Sequence, residues 1–288
     1  MIDLANPTQI KALLARHGFH FSKALGQNFL VNPSVCPRMA SQCGAEEAAG
    51  VLEIGPGIGV LTAELSRHAK KVVALELDSR LLPVLTETLA DRPNVTVLQA
   101  DAMEVDLAAL LAREFDGPVA VCANLPYYIT SPLLMRLLES HLPITAVTVM
   151  VQKEAATRIC AAPGSRDGGA ISLAVRYYAE PHVLFAVSAG SFLPSPKVDS
   201  SVIRLDLHAA PPVTVQDEAL LFRVIKAAFA QRRKTLLNAL SAGLGLPKAQ
   251  ISAALRAVGV AENLRGERLL LEDFAHLADA LAAPSIEA

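Results

Sequence analysis

Cysteine is scarce in this 288-residue chain, and what little there is excludes two classes at once. Cys36, Cys43, Cys122 and Cys160 show neither metal-ligand spacing nor a paired disulfide framework. They read as free thiols of a reducing compartment, so a cytoplasmic location is expected. The seven histidines are scattered, with no cluster that suggests a proton relay or a metal ion, and no metal is expected. No apolar run is long and uninterrupted enough to span a bilayer. The amino terminus lacks a signal-peptide layout, because Asp3, Asn6 and Lys11 break up any apolar stretch. Internal repeats and low-complexity segments are also missing. So is a strong charge of either sign: the net charge is −2, which taken alone argues against a nucleic-acid partner.

What the chain does have is apolar content. At 52% hydrophobic residues it can bury a sizeable core, in one large domain or in a main domain with a smaller companion. Its charge is also unevenly spread. From Ala219 to Ala261 there are seven basic residues and no Asp or Glu, whereas from Cys43 to Ala123 acids outnumber bases. A solvated helix face accounts for the basic stretch as well as a basic appendage on an acidic catalytic domain does.

Strand-like runs occur at Gly50–Ile54, Lys71–Leu77, Val95–Ala100, Val119–Ala123 and Thr145–Val151, with helical patterns between them. This alternation predicts an α/β fold with a parallel, doubly wound sheet. Ahead of it lie a helix over Thr8–His17 and a second after Asn32-Pro33. A helix over Ile171–Ala179 follows, and then two strands, Val183–Val187 and Ser200–Leu207, close enough to pair at one sheet edge. Ala209-Ala210-Pro211-Pro212 reads as a linker, and the chain beyond it as purely helical, punctuated by Gly243, Gly245, Pro247 and Gly259. The expected domains are therefore 1–210, with a helical amino-terminal lid, and 211–288.

The loop Glu53-Ile54-Gly55-Pro56-Gly57-Ile58-Gly59 follows the first strand and opens a helix. Glycines there let the backbone turn tightly and lie against a nucleoside. Glu76, at the end of the next strand, stands where an acceptor for ribose hydroxyls is expected, and Asp101 ends the third strand at the same edge. The nicotinamide fingerprint needs G-x-G-x-x-G. Here position 60 is Val and the pattern is G-x-G-x-G, which resembles the first motif of class I S-adenosylmethionine-dependent methyltransferases. Asp101 then suits the exocyclic amine of the cofactor's adenine.

Asn124-Leu125-Pro126-Tyr127 ends the apolar run Val119–Ala123. An amide, a forced turn and an aromatic ring at a strand's carboxyl end suit a flat, amine-bearing ring. Adenine N6 is a poor nucleophile because its lone pair is delocalised. The Asn124 side chain and a main-chain carbonyl near Leu125 could accept its two N–H bonds and aim the lone pair at a sulfonium methyl, a matter of positioning and electrostatics. Pro126 would fix the backbone, and Tyr127 would stack on the base. Tyr128 reads as packing. A strand-ending turn with a buried Tyr is the plainer reading of the tetrapeptide in isolation. Phe192, by itself, reads as a core aromatic before a Pro-rich loop.

Five ordered segments carry a family resemblance: Lys23–Leu30, the glycine loop, Asn124–Tyr127, Phe192–Ser200 and Arg232–Leu236. From about Lys23 to about Leu277 the chain resembles the ribosomal RNA adenine N6,N6-dimethyltransferases, in particular the bacterial small-subunit, kasugamycin-sensitivity type. The resemblance implies a Rossmann-like class I methyltransferase domain with a smaller all-helical carboxyl-terminal domain, and S-adenosylmethionine as cofactor. It implies cofactor contacts from Asn28, Leu30, Gly55, Gly57, Glu76, Leu77, Asp101, Ala102 and Asn124. Catalysis would fall to Asn124, Leu125, Pro126 and Tyr127, with Phe192 facing Tyr127 across the target adenine. Lys226, Arg232, Arg233 and Lys234 would bind RNA phosphates. The implied substrate is a pair of adjacent adenosines in the 3′-terminal hairpin loop of small-subunit rRNA, each dimethylated, in a partly assembled 30S subunit. The enzyme is expected to be a monomer that acts in ribosome biogenesis. Two positions depart from the family pattern: Gly168 stands at an aromatic position, and Leu237 where a basic residue is common. The competing readings are a large-subunit rRNA methyltransferase of the antibiotic-resistance type, and an assembly factor whose binding role outweighs catalysis.

Overall fold

Among the described residues nine short segments supply the strands: β1 Phe29–Leu30, β2 Val51–Ile54, β3 Val72–Glu76, β4 Val95–Gln99, β5 Val119–Asn124, β6 Ile144–Gln152, β7 Ala179–Val187, β8 Phe192–Leu193 and β9 Ser200–Leu207. The computed structural model describes residues 3–20, 28–231 and 233–282. Lys23–Gln27 of the amino-terminal motif and Arg232 of the basic segment lie outside the described residues.

Seven of the strands form one sheet in the order β4-β3-β2-β5-β6-β9-β7. From β4 to β6 all neighbours are parallel. Strands buried on both faces read as continuous apolar runs, which is why β2 and β3 carry no polar alternation apart from Glu53 and Glu76. The expected edge pair, β9 and β7, closes one side of the sheet, with β9 antiparallel to β6. The chain runs outward from β2 through β3 to β4, then returns to place β5 on the other flank of β2. Order therefore reverses beside β2, and a crevice opens there at the strands' carboxyl ends.

Helices cover both faces. Helix α2 (Val35–Ser41) and α3 (Val60–His68) bury Cys36, Met39, Leu61 and Leu65 against Val51, Val72 and Cys122. Helix α1 (Pro7–Arg16) packs Ile10, Leu13 and Leu14 against Leu81 and, in α4 (Leu82–Thr88), Val84 and Leu85, with Val97 of β4 alongside. Helices α5 (Leu107–Glu114) and α6 (Tyr127–Glu139) complete the alternation, and α7 (Lys153–Ile159) follows β6. Among the described residues no helix is long and apolar enough to cross a membrane.

The chain divides into two compact units, Met1–Ala156 with Pro181–Leu207, and Thr157–Glu180 with His208–Ala288. Sequence places residues 157–180 with the sheet; contacts group them with the carboxyl-terminal helices. The cause is local. In α8 (Ala170–Tyr178), the Tyr177 and Tyr178 hydroxyls donate to the two carboxylate oxygens of Glu218, at 3.0 and 2.7 Å. The Tyr178 ring also stacks on Phe222 of α9 (Glu218–Ala230), with centroids 5.5 Å apart. Gly168, the departure from the family pattern, sits in a turn where an added Cβ would lie 3.0 Å from the Ser165 carbonyl oxygen.

Two readings of the helical segment need correction. The described basic residues do not share one helix: α9 ends at Ala230, Lys234 N–H donates to the Gln231 carbonyl at 2.9 Å, and α10 (Leu236–Leu244) begins beyond. Lys226 is exposed on α9, and Arg233 and Lys234 are exposed on the turn. Gly243 is not a helix break either. It lies inside α10, where the helix crosses α9 so closely that an added Cβ would fall 2.5 Å from the Ala227 Cβ. Gly245 and Pro247 do punctuate: the first caps α10 at φ +70°, and the second precedes α11 (Lys248–Ala257). Helix α12 (Leu271–Ala282) completes the unit.

Gly243→Ala should therefore destabilise the protein. Overpacking costs about 1–3 kcal/mol, and the better helix propensity of Ala recovers at most about 1 kcal/mol. A lower urea midpoint at unchanged slope is the expected outcome, and an equal or higher midpoint would show that the two helices can separate without cost.

Candidate active site

The crevice beside β2 holds a cavity lined by Asn28, Leu30, Glu53, Gly55, Gly57, Glu76, Leu77, Asp101, Ala102, Asn124, Leu125, Pro126, Tyr127 and Phe192. Every cofactor, catalytic and base-stacking position expected from the sequence meets in this one space; the basic residues lie in the other unit.

The glycine loop forms one wall. Gly57 has φ +59°, and an added Cβ there would stand 3.2 Å from the Phe29 ring; Gly59 has φ +87° and caps α3. Glu76 ends β3 and reaches back to this loop. One carboxylate oxygen accepts the Gly57 N–H at 3.2 Å and the other the Asp78 N–H at 2.8 Å. Burial raises the Glu76 pKa, against the pull of those backbone donors. Asp101 accepts the Met103 N–H at 2.7 Å, which fixes the turn after β4. Arg136 of α6 holds the same turn from outside, donating to the carbonyls of Met103 and, at 2.7 Å, Val105. Leu77 is 51% exposed on the cavity wall, and Ala102 is buried.

The acceptor tetrapeptide is a strand-to-helix junction. Asn124 ends β5 and Tyr127 opens α6. Pro126 sits between them at φ −56° and ψ 133°, and its carbonyl accepts the Ile129 N–H at 3.2 Å. Leu125 is buried beneath. The Tyr127 and Ser200 hydroxyls share a hydrogen bond at 2.8 Å. Tyr128 does not pack inside as the sequence suggested: at the helix start it lies 60% exposed at the cavity rim. Phe192 belongs to the core cluster that includes α2 and also lines the cavity.

Sequence reasoning missed four features. Phe29 and Leu30 pair antiparallel with Leu193 and Phe192, a two-residue ladder that brings the amino-terminal motif to the Phe192 segment. Arg136 and Ser200 are the second and third. The fourth is Glu53, 1% exposed in β2, whose Oε2 has no hydrogen-bond partner among the described residues. A lone carboxylate within the run Val51–Ile54 was the signal for it.

The donor set suits an adenosine-bearing methyl donor. It offers two carboxylates at strand ends, Glu76 and Asp101, beside a loop of glycines with positive φ. A parallel sheet with this switch-point crevice, next to an amide-and-ring junction, defines a class I methyltransferase of the type that acts on nucleic-acid bases. Residues 18–283 match the model of the ribosomal RNA adenine dimethylase family, and the chain belongs to that family. It is 48% identical over 284 residues to ribosomal RNA small subunit methyltransferase A of Geobacillus thermodenitrificans, covering 97% of each chain. It is 45% identical over 285 residues to the protein of the same name from Alkaliphilus metalliredigens, covering 98% of this chain and 99% of the other. Among solved structures, a dimethyladenosine transferase from Plasmodium falciparum is similar at TM-score 0.73 and 27% identity, over 86% of this chain and 95% of that one. The 23S rRNA methyltransferase ErmE is similar at TM-score 0.68 and 27% identity, over 89% and 100% respectively.

Burial pushes the Glu53 carboxyl from 4.5 up to about 8; Thr62 opposes the rise, and Glu76 and Cys43 add to it. The folded state thus holds a proton that the unfolded chain releases. Stability is full below the unfolded value of 4.5 and is lost as pH rises towards about 8. In Glu53→Gln that loss disappears. The melting temperature of the variant relative to the parent should climb between about pH 5 and about pH 8.5. A constant difference across that range would show that Glu53 is already ionised.

Proposed function

We propose that the cavity holds S-adenosylmethionine, and that the protein methylates N6 of two adjacent adenosines in the 3′-terminal hairpin loop of 16S rRNA, giving N6,N6-dimethyladenosine. One observation carries this reading: donor-type residues Glu76 and Asp101 and acceptor-type residues Asn124 and Tyr127 line one cavity. Once bound, the cofactor supplies an electrophilic sulfonium methyl. The chain supplies placement. Glu76 would accept from the ribose hydroxyls and Asp101 from the cofactor's exocyclic amine. Gly55 and Gly57 would give close backbone approach, Leu77 and Ala102 would flank the adenine, and Asn28 and Leu30 would close the amino-terminal side.

On the acceptor side, the Asn124 amide oxygen and the Leu125 carbonyl would accept the two N–H bonds of the target amine and aim its lone pair. Pro126 holds that junction in shape. Tyr127 and Phe192 would take the base between them, stacking worth about 1–3 kcal/mol against the few kcal/mol needed to unstack a nucleotide. No base need remove a proton before transfer, because the amine becomes acidic on methylation. The substrate form is a partly assembled 30S subunit, the protein works as a cytoplasmic monomer in small-subunit biogenesis, and Lys226, Arg232, Arg233 and Lys234 bind RNA phosphates.

Small subunits lacking these methyl groups, incubated with labelled donor, should acquire dimethyladenosine confined to the 3′-terminal hairpin. Glu76→Ala and Asn124→Ala should abolish the label while subunit binding persists. Label in large-subunit RNA would transfer the protein to the resistance-type reaction, and no label with intact binding would favour an assembly factor.

Charge neutralisation by Arg233→Gln with Lys234→Gln should weaken subunit binding and lower the salt slope by about 1–2, leaving cofactor affinity intact. An unchanged slope would remove the turn from the RNA interface.

A further inference from the structure

We infer that Ser200 is a positioning residue for base stacking: its buried hydroxyl holds the Tyr127 phenol and so presets the plane of the ring. This inference rests on the reading of Tyr127 as a base-stacking residue. Tyr127 and Ser200 are 73 positions apart, and the 2.8 Å bond between their hydroxyls links the start of α6 to the start of β9.

Both ends of the tyrosine are thereby fixed. Its backbone follows directly from Pro126, whose ring restricts the approach to the helix. Its hydroxyl is fixed by a partner that cannot drift. Ser200 is fully buried and pairs with Gln152 at the end of β6. The residue before it, Asp199, accepts the Lys153 N–H at 3.0 Å through its carbonyl and the Ala189 N–H at 2.9 Å through its carboxylate. The strand start is thus held from two directions, and the serine hydroxyl is a stationary point.

Between these anchors the Tyr127 ring stands only part-buried on the cavity wall. A part-buried ring is less firmly set by packing than a fully buried one. A phenol tethered at its far end loses most of its rotational freedom before the base arrives. The ordering cost that stacking would otherwise carry is met when the protein folds. Phe192 needs no such tether, because it is 5% exposed and clamped in the core. The two walls of the base site would thus be made rigid by different means, one by burial and one by a hydroxyl pair.

The test is a double-mutant cycle of Ser200→Ala with Tyr127→Phe, assayed on small subunits lacking the modification. Each single variant should lower kcat/KM for the subunit by roughly 3- to 10-fold, the scale of one hydrogen bond, and the double variant should be no worse than Tyr127→Phe alone. The affinity for S-adenosylhomocysteine should stay at the parental value, the melting temperature should fall by no more than about 2–4 °C, the scale of one hydrogen bond, and Ser200→Thr should recover most of the activity. Additive losses, parental activity in Ser200→Ala, or a parallel fall in S-adenosylhomocysteine affinity would each overturn the assignment. If Ser200→Ala does not fold, Tyr127→Phe breaks the same bond from the more accessible side, and its parental activity would have the same force. Tyr127→Ala at full activity would remove the stacking role of Tyr127 itself, and the inference with it. A dead Tyr127→Ala beside a fully active Ser200→Ala would sink the inference alone.

Discussion

The pairing of β2 with β5 is the constraint on which the site depends. Its register sets Glu53 opposite Cys122 and Ile54 opposite Ala123, so the two strands end together. The chain leaves β2 at Gly55 and β5 at Asn124, and a Cβ on Gly55 would lie 3.9 Å from the Asn124 carbonyl oxygen. A donor loop and an acceptor junction 69 positions apart in sequence are thereby neighbours through backbone hydrogen bonds alone. A slip of one residue would reverse the faces of β5 and carry the Asn124 side chain away from the loop. The distance between the glycine loop and the Asn124 junction is not set by a flexible connection. It is built into the ladder.

Electrostatics follows from the same placement. Carboxylates at the ends of buried parallel strands have little water, and burial raises the pKa of both Glu53 and Glu76. The pair is tolerated for different reasons. Glu76 is satisfied by backbone donors from Gly57 and Asp78, whereas Glu53 has an oxygen with no hydrogen-bond partner among the described residues. Natural folds keep such groups where a ligand makes use of them, at a cost in stability. A donor that carries positive charge suits an acidic crevice of this kind, and the cost then belongs to the ligand-free state.

Much of this was legible in the chain because the governing signals are local. Apolar runs ended by a glycine loop, by Glu76 and by Asn124 mark strands and their functional ends without reference to the rest of the fold. Illegible features depended on distant partners. The β1–β8 ladder is two residues long, too short for any periodicity to announce it. Tyr127 meets Ser200 only because β9 enters the sheet beside β6. Gly243 reads as a breaker until α9 is seen against it, and the grouping of residues 157–180 rests on two tyrosines that find Glu218 about 40 positions later. Phe192 is core, as its sequence context reads, and lines the cavity as well. Its burial makes it look like core from sequence, and that burial is what would make it a fixed wall for a base.

The β1–β8 ladder also ties the two sides of the cavity to one another. Phe29 lies over the glycine loop, its ring 3.2 Å from where a Cβ on Gly57 would stand, and its strand neighbour Leu30 is opposite Phe192. Val31 N–H donates to the Ser191 carbonyl at 2.9 Å, and the Asn32 amide donates to the Ser191 hydroxyl at 3.1 Å. A displacement of Phe29 from the donor loop would therefore pull on the segment that carries Phe192. The glycine loop thus abuts the same short ladder that carries Phe192. That short ladder and the Tyr127–Ser200 bond are two long-range cross-links that fix the cavity's walls.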